Sequence, residues 1–208
     1  MEFFKDIWIY KNTIVKKKTN KGYILILGAK SEIAQALAKI YAANGYDLYL
    51  AGRNVEYELS YFVQKISKSF ISKINCLEFD ITDYESLQKF YDFINEKPIG
   101  VISFIGLSGN QLLNDGNINH TKKIVDTNFL GIVSLFEIIA NDFKIRQSGF
   151  IAAVTSIAAD RGRRKNYIYA ASKAALNIYL SGQRNRLHRY NVSVNTIKLG
   201  IVNTKYQQ

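Results

Sequence analysis

Six short apolar runs, each but the last followed by a stretch with helical spacing, constrain this 208-residue chain more than any other feature of its sequence. The first, Tyr23 to Gly28, leads into SEIAQALAKIYAANG, where Ile33, Leu37, Ile40 and Tyr41 mark one helical face and Gly45 is a natural stop. The cadence repeats as YDLYLAG with a helix from about Val55 to Phe70, then INCLEFD with DYESLQKFYDFINE. IGVISFIG precedes a long helix through Asn128 and Ile139, GFIAAVTS precedes a helix from about Tyr167 to His188, and VSVNTIKLG closes the series. Parallel neighbours need crossover connections, and helical crossovers cover both faces of the sheet. The pattern therefore predicts a doubly wound α/β fold of the Rossmann type, three layers deep, with strand order 3-2-1-4-5-6. In such a sheet the residues just after Leu27, Ala51, Phe79, Ile105 and Thr155 should ring one crevice at the carboxyl ends of the strands.

The length suits one core, so residues 21–208 are expected to form a single domain preceded by an extension, residues 1–20. Cys76 is the only cysteine and cannot form an intrachain disulfide, which fits a reducing compartment such as the cytoplasm. The apolar-then-basic order of the first residues reverses that of an export signal. Glu137 interrupts the most apolar run, so no transmembrane segment is expected, although Phe3, Phe4, Ile7 and Trp8 could rest on a membrane surface or a partner. The formal charge of +11 is spread along the whole chain, which favours a solvated basic surface over a nucleic-acid footprint.

Two regions carry candidate chemistry. The turn Gly28 to Ala34 would present unpaired helix amides to a pyrophosphate, with Gly28, Ser31 and Ile33 as contact residues; an ordinary strand-to-helix turn explains it equally well. After the second strand, where an NAD site would place a carboxylate for the ribose, stands Arg53, whose charged fork suits a 2′-phosphate and so argues for NADP over NAD. Asp80 could accept from the adenine amino group or cap a nearby helix. On the predicted fifth helix Tyr169 and Lys173 lie four apart and share a face. A phenol titrating near pH 10 needs a nearby cation to act as an acid or base near neutrality, and Lys173 could supply it.

These residues, with Asn128 in DTNFLG, Ser156 thirteen positions before Tyr169, and LGIVNT near the end, make the chain resemble the short-chain dehydrogenase/reductase superfamily. The resemblance covers about Lys21 to Thr204. It implies hydride transfer between a nicotinamide and a carbonyl or alcohol carbon, with Tyr169 as acid or base and Lys173 lowering its pKa and holding the cofactor ribose. It further implies that Ser156 steadies the substrate oxygen, Asn128 supports a water in a proton relay, Gly106 lies along the cofactor, and Val202 and Thr204 position the carboxamide. The helices carrying Asn128 and Tyr169 are implied to join copies in a homo-oligomer.

Within the family the chain looks most like reductases of a keto-pentose attached to a polyprenyl phosphate, through GAKSEIA, DTNFLGIVSL, DRGRRKNYIYAASKA and LSGQRNRL. That suggests a small-molecule or lipid-linked carbonyl substrate, with Arg161, Arg163 and Arg164 meeting a phosphate. Departures are Glu32 and Ala34 in place of two loop glycines, Ser103-Phe104-Ile105 before Gly106 where the family has Asn-Asn-Ala, and Leu199 for a proline. Members normally continue beyond the equivalent of Thr204, so a C-terminally shortened sheet is expected. The alternative to an active reductase is a family member that holds NADP without turnover.

Overall fold

A computed structural model describes residues 21–109, 116–200 and 202, and the backbone of 9–10 and 13–14, which form a short antiparallel ladder. The main sheet comprises β1 (Tyr23–Leu27), β2 (Asp47–Gly52), β3 (Ile74–Glu78), β4 (Gly100–Ser103), β5 (Gly149–Ser156) and β6 (Val192–Leu199). All neighbours are parallel, and the spatial order is β3-β2-β1-β4-β5-β6. The order reverses between β1 and β4, where Leu27 pairs with Ser103.

Two apolar clusters cover the sheet. One lies under α1 (Glu32–Ala43), α2 (Val55–Glu58) and α3 (Ser60–Ser69). The other lies under α4 (Leu87–Phe93), α6 (Gly131–Arg146) and α7 (Tyr167–Leu187). β1 is buried on both faces because its alternate residues, Ile24 and Leu25 for example, feed opposite clusters.

Three expectations need correction. In α1 the buried face is Ala34, Ala38 and Ala42, while Ile40 is 58% exposed. Small residues let the helix approach the sheet, and Leu37 and Tyr41 pack at its flank. The helix expected over 55–70 is broken at Leu59, and α4 is shorter than its apolar pattern, beginning only at Leu87.

A continuous helical rod from Ile118 to Arg146, made of α5 (Ile118–Val125), a π-turn (Asp126–Leu130) and α6, is long and apolar enough to cross a membrane. Its apolar residues Ile132, Leu135, Phe136, Ile139 and Phe143 are instead buried in the core cluster, which is where that hydrophobicity goes. Gly131 is required at the turn's exit: a Cβ there would stand 2.3 Å from the Ile81 carbonyl oxygen.

Candidate active site

The chemistry-bearing residues gather where β1, β4 and β5 end. Gly28 leaves β1 with φ +73, and a Cβ would stand 2.9 Å from the Ile105 amide nitrogen and 3.0 Å from the Phe104 carbonyl carbon. Glycine thus lets the β1 turn press against the segment after β4, as well as supplying the left-handed conformation. Ser31 precedes α1, but its side chain makes no capping bond, so the hydroxyl is not committed to the helix. Ile33 is half-buried in the first turn and Glu32 points to solvent.

The segment after β4 is held from two sides. Lys173, only 3% exposed on α7, donates from Nζ to the carbonyls of Ile105 at 2.9 Å and Val154 at 3.2 Å. Gly106 lies beside it, since a Cβ there would come within 3.2 Å of the ammonium. Fully buried Asn128, in the π-turn, accepts from the Leu107 amide at 2.6 Å and donates to the Leu107 carbonyl at 2.9 Å. Its second amide hydrogen goes to Ser172 Oγ at 3.0 Å, and Ser172 donates to the Tyr169 carbonyl at 2.7 Å. A π-turn at such a point is the expected signature of a functional distortion in a helix.

Tyr169 stands in the first turn of α7, with Ser156 as the neighbouring hydroxyl that acts on its phenol. Ser156 ends β5, and its Oγ accepts from the Ala158 amide at 3.1 Å, leaving the hydroxyl proton free to be donated. Burial pushes the Tyr169 phenol above its usual value, and the Ser156 hydroxyl pulls it partly back. Burial likewise pulls Lys173 down to about 8. The expectation that Lys173 lowers the phenol's pKa is therefore not met in this arrangement. The ammonium is turned to two main-chain carbonyls, and the Ser156 hydroxyl is what favours phenolate.

On the other side of the strand-order reversal, Arg53 after β2 and Asp80 after β3 stand 3.7 Å apart. Burial raises the Asp80 carboxyl, but bonds from the Thr82 amide and hydroxyl, and then Arg53, outweigh it and hold the group below its ordinary value. Asp80 closes a local turn with Thr82 and does not cap α4, which starts seven residues later. Val202 is half-buried, and Thr204 lies outside the described residues.

Two positioning groups had no sequence-level role. Ser172 links Asn128 to the helix bearing Tyr169; the only signal was a small hydroxyl beside Lys173. Glu78 accepts from the amides of Asn54 at 2.6 Å and Glu56 at 2.9 Å, fixing the turn that carries Arg53. A carboxylate ending a strand beside a left-handed Asn54 was the available hint.

A family model described as short chain dehydrogenase matches residues 22–208. The chain belongs to the short-chain dehydrogenase/reductase family and is an NAD(P)-dependent oxidoreductase. It is 29% identical over 188 residues to an uncharacterized oxidoreductase of Mycobacterium tuberculosis, an alignment covering 88% of this chain and 74% of the relative. In fold it is similar to a 3-oxoacyl-[acyl-carrier protein] reductase from Brucella melitensis, with TM-score 0.81 and 18% identity over 91% of this chain and 72% of the other. It is also similar to a gluconate 5-dehydrogenase from Burkholderia cenocepacia in complex with NADP and tartrate, with TM-score 0.82 and 18% identity over 92% and 75%. The residues present fit a nicotinamide dinucleotide: a positive-φ glycine turn opens onto the amino end of a twelve-residue helix with an uncommitted serine.

Proposed function

We propose that this protein reduces a carbonyl group with NADPH, using Tyr169, Ser156, Lys173 and Asn128. The observation that carries the reading is that Ser156 at the end of β5 and Tyr169 in the first turn of α7 stand as neighbours, with the Ser156 hydroxyl favouring the phenolate form of Tyr169. A bound nicotinamide supplies the hydride; the side chains of this chain supply orientation and the proton. As negative charge develops on the carbonyl oxygen, the two hydroxyls meet it, and Tyr169 Oη gives up its proton to the forming alcohol. Ser156 can remain a donor to that oxygen because the Ala158 amide already occupies one of its lone pairs.

Gly28, Ser31 and Ile33 would hold the pyrophosphate, and Asp80 the adenine. Gly106, Tyr169 and Lys173 would face the nicotinamide ribose, with Val202 and Thr204 at the carboxamide. Lys173 would stabilise the phenolate on leaving its carbonyl partners. Asn128 keeps the Leu107 segment and α7 in register, which is a positioning role for its side chain. The choice of NADP rests on Arg53, 66% exposed and matched only loosely by Asp80, so its guanidinium can accept a 2′-phosphate. A keto-sugar, free or carried on a polyprenyl phosphate, is the substrate this reading favours, and the helices α6 and α7 are where a second copy would pack.

The test follows NADPH and NADH oxidation with a panel of ketones and keto-sugars. Turnover with NADPH that falls at least ~100-fold in Tyr169→Phe is expected, the scale of a positioned acid. Equal turnover in both proteins would remove Tyr169 from the reaction.

A further inference from the structure

On the Arg53 side of the crevice stands an ion pair that the hydride-transfer reading does not use. Lys30 lies in the turn between β1 and α1, where its carbonyl accepts from the Gln35 side chain at 3.0 Å and the Ser31 amide bonds back to the Gly28 carbonyl at 3.1 Å. Its ammonium reaches over to Glu58, the last residue of α2, and donates to Oε1 at 2.6 Å.

The turn bearing Lys30 touches the turn bearing Arg53. The amides of Gly28 and Ala29 both donate to the Ala51 carbonyl, at 2.9 and 3.2 Å, and a Cβ on Gly52 would stand 4.0 Å from the Ala29 nitrogen. Lys30 and Arg53 directly follow Ala29 and Gly52, so two cations leave the chain from one point of contact. Each has a carboxylate beside it: Glu58 for Lys30, and Asp80 at 3.7 Å for Arg53. Beyond them an open cavity is lined by Asn54, Glu56, Tyr57, Glu58 and Glu78. Glu78 is committed to two backbone amides there, whereas Glu58 holds a flexible lysine. The side chains of Lys30 and Glu58 are 36% and 45% exposed, so water screens their attraction and an incoming anion can break it.

We propose that Glu58 is a specificity-determining residue for the dinucleotide, competing with its 2′-phosphate for the ammonium of Lys30. This rests on the NADP reading and adds a second cation and its internal competitor to the role given to Arg53. An ammonium is a point charge that phosphate oxygens can take from a carboxylate, while the Arg53 fork stays in place beside it. Glu58 opposes the phosphate twice, by occupying Lys30 and by its own negative charge, so both effects have the same sign. The carboxylate therefore tempers the preference for the phosphorylated nucleotide.

The experiment measures calorimetric binding of 2′,5′-ADP and 5′-AMP to the full chain and to its Glu58→Gln, Lys30→Gln and doubly substituted variants. The two nucleotides differ only in the 2′-phosphate, so a general disturbance of the turn weakens both and leaves their ratio unmoved. In Glu58→Gln the preference for 2′,5′-ADP should rise about threefold, the scale of one exposed charge pair, and in Lys30→Gln it should fall by about as much. With Lys30 already replaced, Glu58→Gln should restore little of that preference. An unchanged ratio in Glu58→Gln, or an equal gain with and without Lys30, would overturn the proposal. If the wild type binds both nucleotides equally, the NADP reading fails, and the ratio in Glu58→Gln still decides the role of Glu58. Binding of neither nucleotide to any of the four proteins would sink both.

Discussion

Replacing Lys173 by Met should change how stability depends on pH more than it changes the fold. The ammonium is 3% exposed, bonded to two carbonyls, and pulled by burial from 10.5 to about 8. A base whose folded pKa is depressed releases its proton earlier in the folded state than in the unfolded chain. Between pH 8 and 10.5 the unfolded chain therefore binds more protons, and stability rises with pH by up to 1.4 kcal/mol per unit, about 3 kcal/mol in all. Below pH 8 both states carry the proton and the contribution is flat. Groups with raised pKa, such as Tyr91, Tyr179 and Cys76, act in the opposite direction at alkaline pH, but they are common to both proteins and cancel in the difference. Urea unfolding at half-unit steps from pH 7 to 9.5, extrapolated to water, gives the required curves. The wild-type curve minus the Lys173→Met curve should climb by about 1–2 kcal/mol above pH 8. Parallel curves across that range would refute the claim that burial governs Lys173.

Asn128→Ala removes three hydrogen bonds around a fully buried carboxamide and should cost about 2–4 kcal/mol in urea unfolding, with an unchanged m-value. A loss under about 0.5 kcal/mol would mean that water replaces the amide without penalty. Gly28→Ala drives a Cβ into the Ile105 backbone at positive φ and should cost about 2 kcal/mol or more, measured by thermal or urea unfolding. Arg53→Ala should raise the KM for NADPH about tenfold and leave that for NADH nearly unaltered, because only the phosphate contact is lost. A parallel rise for both nucleotides would place Arg53 elsewhere.

The strands were legible because each is a short apolar run closed by a turn residue, and their parallel order follows from the helices between them. The α1 face was misread because large apolar residues dominate a periodicity argument, whereas close approach to the sheet selects Ala34, Ala38 and Ala42. Nothing in the run around Leu59 is a helix breaker, so the division between α2 and α3 had no sequence signal. The spacing of Tyr169 and Lys173 correctly put them on one helix. Where the ammonium points depends on the carbonyls of Ile105 and Val154, which reach it only through the tertiary fold. The partners of Asn128, Leu107 and Ser172, are distant in sequence for the same reason.

The most direct test of a shared proton-delivering pair is a double-mutant cycle on single-turnover hydride transfer with Tyr169→Phe, Ser156→Ala and the double variant. Two hydroxyls acting on one oxygen should be non-additive, so the double variant should fall little further than the worse single one. Fully additive losses would mean that the phenol and the serine act independently, contradicting the account.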